Sequence, residues 1–116
     1  MRRALLIYNP FSGFRRHRRQ HQVEAAVQEL RRAGVEATSV QSSGPSGAGA
    51  QAREAIAADY DTIFACGGDG TVHDVLQGMV GQEKAALGVL PLGTANALAA
   101  DLKIPRDPVL AIRRQV

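Results

Sequence analysis

Apolar residues in this chain fall in short dense runs, separated by stretches in which they recur at every third or fourth position. Ala4 to Tyr8 reads as a first buried strand. From Gln20 onward, Val23, Ala26, Val27, Leu30 and Ala33 keep helical spacing, and Gly34 supplies the stop. Val35 to Val40 alternates poorly but is rich in β-branched residues, which predicts a second strand. Ser42 to Gly49 is a Gly/Ser/Pro loop, and the Ala-rich stretch from Ala50 to Ala58 a helix. Thr62 to Cys66 is a third strand, and Val72, Val75, Leu76, Met79 and Val80 form the apolar stripe of the next helix. Ala86 to Leu90 makes a fourth strand, and Ala95, Leu98, Ala99 and Leu102 a short helix. Asp107 caps a last helix with Pro108 at its first position.

This alternation predicts a three-layer α/β/α domain with a mostly parallel sheet and helices on both faces. Parallel strands need crossovers of one hand, so successive βα turns collect at the carboxyl edge, where ligands of open α/β sheets bind. The loops after the first, third and fourth strands carry the chain's candidate chemistry.

The third strand runs into Gly67-Gly68-Asp69-Gly70-Thr71, three glycines around one carboxylate at the start of a helix. Glycines allow positive φ and close approach of the main chain to a ligand, and the helix start aims N–H groups and a positive dipole end at the turn. Thr71 could cap the helix or touch a phosphate oxygen. Asn9 follows the first strand, where its amide could meet a purine or ribose edge or form a turn before Pro10. Ser12 and Gly13 could place a hydroxyl and an N–H beside phosphate. Gly93, Thr94 and Asn96 form a second small polar cluster before a helix, for which an ordinary cap is the other reading. Two familiar phosphate loops are excluded by spacing. Counting G-x-G-x-x-G from Gly68 reaches His73, and Gly88 to Gly93 is followed by Thr94 where a Walker A loop needs lysine.

At 116 residues with 45% hydrophobic content, the chain is one globular domain. It holds no uninterrupted apolar run of membrane-spanning length, and the apolar run after Arg2 and Arg3 is too short for a signal peptide. The single Cys66 excludes an internal disulfide and fits a reducing compartment, which predicts a cytoplasmic protein. It reads as an inert core thiol. Arg2, Arg3, Arg15, Arg16, Arg18 and Arg19 all precede the first acid, Glu24. Such a cluster could draw nucleotide or an anionic membrane surface, or be a solvated helix start. Nucleic acid is not expected, because nothing matches a reader module. His17 and His21 lie four apart without a third metal ligand in view, and His73 reads as solvent-exposed or facing the ligand.

The block from Gly67 to Val80 resembles the signature of the diacylglycerol kinase catalytic domain, a family related to sphingosine kinases and bacterial lipid kinases and, more distantly, to NAD kinases. Asn9-Pro10-Phe11-Ser12-Gly13 resembles its first nucleotide-contacting loop, and Pro91-Leu92-Gly93-Thr94-Ala95-Asn96 its third. The resemblance runs from about Leu5 to Pro105. It implies the family's N-terminal nucleotide-binding domain, with Asn9, Pro10, Ser12, Gly13, Gly67, Gly68, Gly70, Thr71, Gly93, Thr94 and Asn96 contacting ATP. It implies phosphoryl transfer through Asp69, either by way of Mg²⁺ or by accepting the proton of a lipid hydroxyl. Asp74 stands where glutamate is commoner, and Gln77 where asparagine is. The β-rich lipid-binding domain that follows in the family is absent, so this fragment is expected to bind nucleotide weakly and turn over little. Peripheral contact with the inner membrane face and a swapped or edge-paired homodimer are further expectations. The alternatives are an NAD-kinase-like or sugar-kinase-like phosphotransferase, and a non-catalytic module binding nucleotide or membrane.

Overall fold

The computed structural model describes residues 1–9, 16–44, 46–92 and 97–116, leaving aside the side chains of Arg16, His17 and Ala97. Four strands, β1 (Arg3–Tyr8), β2 (Glu36–Gln41), β3 (Thr62–Gly67) and β4 (Ala86–Pro91), alternate with helices α1 (Arg16–Arg32), α2 (Gly47–Ala57), α3 (Asp69–Met79) and α4 (Ala97–Asp101). Helix α5 (Pro108–Gln115) ends the chain. The strands form one sheet in the order β2-β1-β3-β4, every pair parallel. Helices α1 and α5 pack together on one face, and α2 and α3 on the other. The chain moves from β1 to β2 over one face and then back past β1 to β3 over the opposite face. Crossovers of a single hand require that change of face.

Burial explains the composition of each strand. Every residue of the central β3 is buried, which matches its continuous apolar run. In β2, at one end of the sheet, only Ala37 is buried, and Glu36, Thr38 and Ser39 face solvent, so its alternation was poor from the start. Leu6, Ile7, Ile63, Phe64 and Leu90 are fully buried between the helical layers, each contributing roughly 1.5–3 kcal/mol by leaving water.

The helix signals act as expected at the end of α1 and the start of α5. Gly34 adopts φ 83° and closes α1, with Val35 N–H donating to Leu30 O at 3.0 Å. The Asp107 side chain accepts from Leu110 N–H at 3.0 Å, with Pro108 opening α5. Helix α2 starts at Gly47, earlier than its alanines indicated. The stripe expected on α3 is wider than its buried face. Val72 and Val75 are buried, whereas Leu76 and Val80 are 41% and 74% exposed. Leu76 follows the inward-facing Val75, about 100° further around the helix and away from the sheet, and Val80 is the C-cap, beyond the last residue of α3.

Two contacts fix neighbouring elements within their own layers. Helices α2 and α3 cross backbone on backbone, and a Cβ added at Gly78 would collide with the carbonyl of Gly49. At the amino edge of the sheet, Asp61 accepts hydrogen bonds from Thr62 Oγ1 at 2.8 Å and from the N–H groups of Arg2 and Arg3 at 2.8 and 3.3 Å. Arg3 itself lies 4.2 Å over the Tyr60 ring and pairs with Glu36 at 3.1 Å. Partial desolvation pushes the Asp61 carboxyl up, but these hydrogen bonds outweigh it and hold the group below its ordinary 3.8.

Gly78→Ala should therefore lower stability by about 1–3 kcal/mol in urea denaturation, because the added methyl must force the helices apart. The native state favours ionised Asp61 more than the unfolded chain does. Its contribution is thus complete above the ordinary value of 3.8 and is lost as pH falls through the lower folded one. Asp61→Ala should remove that part of the acid limb in pH-dependent unfolding and leave the neutral limb parallel to wild type.

Candidate functional site

The strand order creates the site. The connection after β1 leaves toward β2 and that after β3 leaves toward β4, so a crevice opens outside the carboxyl ends of these two neighbouring strands. Asn9 follows β1 there, and Gly68 follows β3. A cleft of about 470 Å³ occupies this position, within the size range of small-molecule sites.

Of the residues expected at the site, Asn9, Gly68, Gly70 and Thr71 line this cleft. Pro10, Ser12, Gly13, Gly93, Thr94 and Asn96 lie outside the described residues. Gly68 is the N-cap of α3, extended at φ −98° and ψ −162°, and offers no side-chain cap. The first-turn bond of the helix runs from Val72 N–H to Gly68 O at 3.2 Å. The N–H groups of Gly70 and Thr71 precede that bond and point out of the helix end. Asp69 is the first residue of the helix and is exposed, a position where the helix dipole favours a carboxylate. Thr71 sits two residues inside the helix, so Gly68 and not Thr71 is the cap.

The glycines serve close approach, and not the left-handed backbone that their type permits. Gly68 and Gly70 do not adopt positive φ, and Gly67, at 158°, is nearly extended. A Cβ at Gly67 would stand 2.7 Å from Thr71 Oγ1, so the strand end and the helix turn must touch. Gly70 differs. A Cβ there would meet no atom of the described residues within 4 Å. Glycine within a helix costs roughly 1 kcal/mol relative to alanine, and among the described residues no packing contact calls for it. Gly70 lines the cleft and also a neighbouring cavity of about 510 Å³ that holds Arg53, His73 and Gln77. The open space belongs to whatever fills the cleft. Gly88, whose spacing to Gly93 imitates a phosphate loop, lies within β4 under the Phe64 ring.

Five lining residues escaped the sequence reading as parts of the site: Arg19, Ser42, Gly44, Ala48 and Asp74. Ser42 and Gly44 stand in the loop after β2, which passed for a plain connector although it ends at the same sheet edge. Asp74 lies three and four residues beyond Thr71 and Gly70, a helical spacing that puts all three on one side of α3. Its carboxylate also borders the first turn of α2, 3.3 Å from where a Gly49 Cβ would stand. Arg19 came from the arginine cluster, but that cluster is not a single patch. Arg2 and Arg3 are at the amino edge, where Arg3 begins β1, and Arg19 is at the cleft beyond its carboxyl end, about 16 Å of strand away.

The remaining candidates do not join the cleft. Burial pushes the Cys66 thiol well up, which keeps it protonated and inert. His21 is exposed on α1, and the His17 side chain lies outside the described residues. Among the described residues no group of three or more His, Cys, Asp or Glu could hold a metal ion, and no helix is long and apolar enough to cross a membrane.

Residues 3–116 match the family described as diacylglycerol kinase catalytic domain. The chain is 38% identical over 114 residues to a diacylglycerol kinase of Bacillus subtilis (strain 168), covering 95% of this chain and 36% of that protein. It is 36% identical over 107 residues to a diacylglycerol kinase of Staphylococcus aureus (strain MRSA252), covering 91% of this chain and 33% of the relative. The crystal structure of a diacylglycerol kinase from Bacillus anthracis strain Sterne superposes with a TM-score of 0.79 at 27% identity, over 96% of this chain and 40% of that one. The chain thus spans about a third of the length of the relatives it matches.

Gly70→Ala should separate stability from binding. The variant should gain up to about 1 kcal/mol in chemical denaturation, while its methyl group, projecting into the cleft, weakens binding of a phosphate-bearing ligand in a calorimetric titration.

Proposed function

This chain belongs to the diacylglycerol kinase catalytic domain family, and on that premise we propose that it forms the ATP-binding half of the active cleft of a lipid kinase. The observation that supports this best is Gly70, a helical glycine that no contact among the described residues requires, lining a cleft on the switch point of a parallel sheet. Main chain without a side chain lets phosphate oxygens come within hydrogen-bond reach of the first-turn N–H groups. Arg19, on the opposite wall, supplies positive charge to the same space. Asn9, Ser42 and Asp74 offer polar groups around it for a ribose or purine edge. Ser12, Gly13, Gly93, Thr94 and Asn96 belong to this proposal through the family resemblance.

Asp69 carries the chemistry in this reading. A carboxylate beside a polyphosphate is repulsive unless it holds a cation or takes a proton. It is the first residue of α3, immediately after Gly68, which lines the cleft. The residues fit a nucleotide with its metal: Asp69 would hold Mg²⁺, which when bound neutralises phosphate charge. In the alternative role Asp69 accepts the proton of the acceptor hydroxyl while that oxygen bonds to the γ-phosphorus and ADP departs. The acceptor is a lipid hydroxyl, diacylglycerol being the substrate that the relatives' names indicate. An acyl chain needs a large apolar cavity, which the portion of the relatives beyond this chain would provide.

Titration of the chain with ATP and ADP, with and without Mg²⁺, tests the proposal through amide NMR shifts. Shifts should centre on Asn9, Gly67 to Thr71 and Asp74; shifts scattered over the surface, or none at millimolar nucleotide, would overturn it. Asp69→Asn should keep the fold and the nucleotide shifts. If Asp69 holds the metal, the variant loses the additional Mg²⁺-dependent shifts; if it is the base, those shifts persist and only transfer by the full-length enzyme is lost.

A further inference from the structure

β4 stands at the end of the sheet, and its outer edge is closed by a side chain. Ala86 N–H donates to Asp61 O and Leu92 N–H to Gly67 O, so the even-numbered residues of β4 turn their backbone groups toward β3. Leu87, Val89 and Pro91 turn theirs outward. Val89 is fully paired all the same. Its N–H donates to Gln115 Oε1 at 2.7 Å, and Gln115 Nε2 donates back to Val89 O at 2.6 Å. The same nitrogen donates to Ala111 O at 3.0 Å, which fixes the amide against its own helix. Helix α5 is held in turn to α1 by Arg113, 2.9 Å from Glu29.

The primary amide of Gln115 thus presents one donor and one acceptor to one residue, as a neighbouring strand would. Without it, β4 would offer paired N–H and C=O groups at Leu87 and Val89 and a lone carbonyl at Pro91. With it, among the described residues, Leu87 is left as the one outward residue with both groups, beside the Pro91 carbonyl, and one such residue does not sustain a ladder. The edge needs this closure. Alongside it runs a cavity of about 270 Å³ lined by Met1, Leu87, Leu102 and Ile104, with Met1 47% and Leu102 51% exposed. An open strand edge beside exposed apolar surface is a template for pairing with another copy. The other end of the sheet is treated alike: Arg31 donates to Ala37 O at 3.0 and 3.2 Å, and Gln51 to Gln41 O at 2.8 Å.

We propose that the Gln115 side chain acts as a surrogate strand that shuts the β4 edge against a second copy of this chain. An edge-paired homodimer of the kind expected from sequence would then form through β4 only when that amide is displaced.

Sedimentation velocity of the 116-residue chain and its variants tests this. Gln115→Ala should self-associate roughly tenfold more tightly than wild type, as expected when hydrogen-bonding groups are uncovered. Adding Leu87→Pro, which removes the other outward N–H, should abolish the gain. A folded Gln115→Ala that associates no more tightly than wild type, or a gain that Leu87→Pro leaves intact, would overturn the proposal. Gln115→Met keeps the side-chain length without the amide and is read the same way should the alanine variant fail to fold. Independently, the wild-type Val89 amide should exchange with deuterium roughly two- to tenfold more slowly than that of Leu87; equal rates would refute the cap.

Discussion

The pairing of β1 with β3 is the contact from which the site follows. β1 is hydrogen-bonded on both flanks, to β2 on one side and to β3 on the other. The chain after β1 must therefore leave in one direction and the chain after β3 in the other. No side chain has to be invoked to open the crevice between them, because diverging connections leave it behind. Asn9 and Gly68 then become neighbours in the cleft although they are far apart in sequence. A different strand order would keep the same motifs and scatter them along the edge.

The second requirement is that two helices approach this crevice closely on one face of the sheet. The crossing of α2 and α3 at Gly49 and Gly78 meets it, bringing main chain against main chain. That draws the start of α2 up to Asp74 and lets the loop after β2 join the wall. The chain thus uses glycine in two opposed ways on the same helix. Gly78 is small because Gly49 fills the space beside it, whereas beside Gly70 the described residues leave the space open to the cleft.

Much of this was legible beforehand. The strands, the layer arrangement and the caps at Gly34 and Asp107 follow from periodicity and from residues with one dominant local preference. Asn9, Gly68, Gly70 and Thr71 were readable because unusual residues stood at strand ends. The failures have physical causes. Leu76 and Val80 looked inward because an apolar stripe shows its centre but not its width. The basic cluster looked single because sequence proximity hides a strand running between its two parts. Ser42 and Gly44 looked like a connector because nothing in a Gly/Ser loop declares which edge it borders. Gln115 and Val89 carry no local signal at all, since a glutamine late in a helix is ordinary until an edge strand lies beside it.

Cys66 stands immediately before the glycine turn, on the central strand, with no exposure. It is the chain's single cysteine. Since burial keeps its thiol protonated, a thiol reagent reaches it only when the sheet itself parts. The strand that leads into the site therefore carries its own clock, one whose ticking rate measures how often the domain opens and whose slowing would register anything that holds the cleft together.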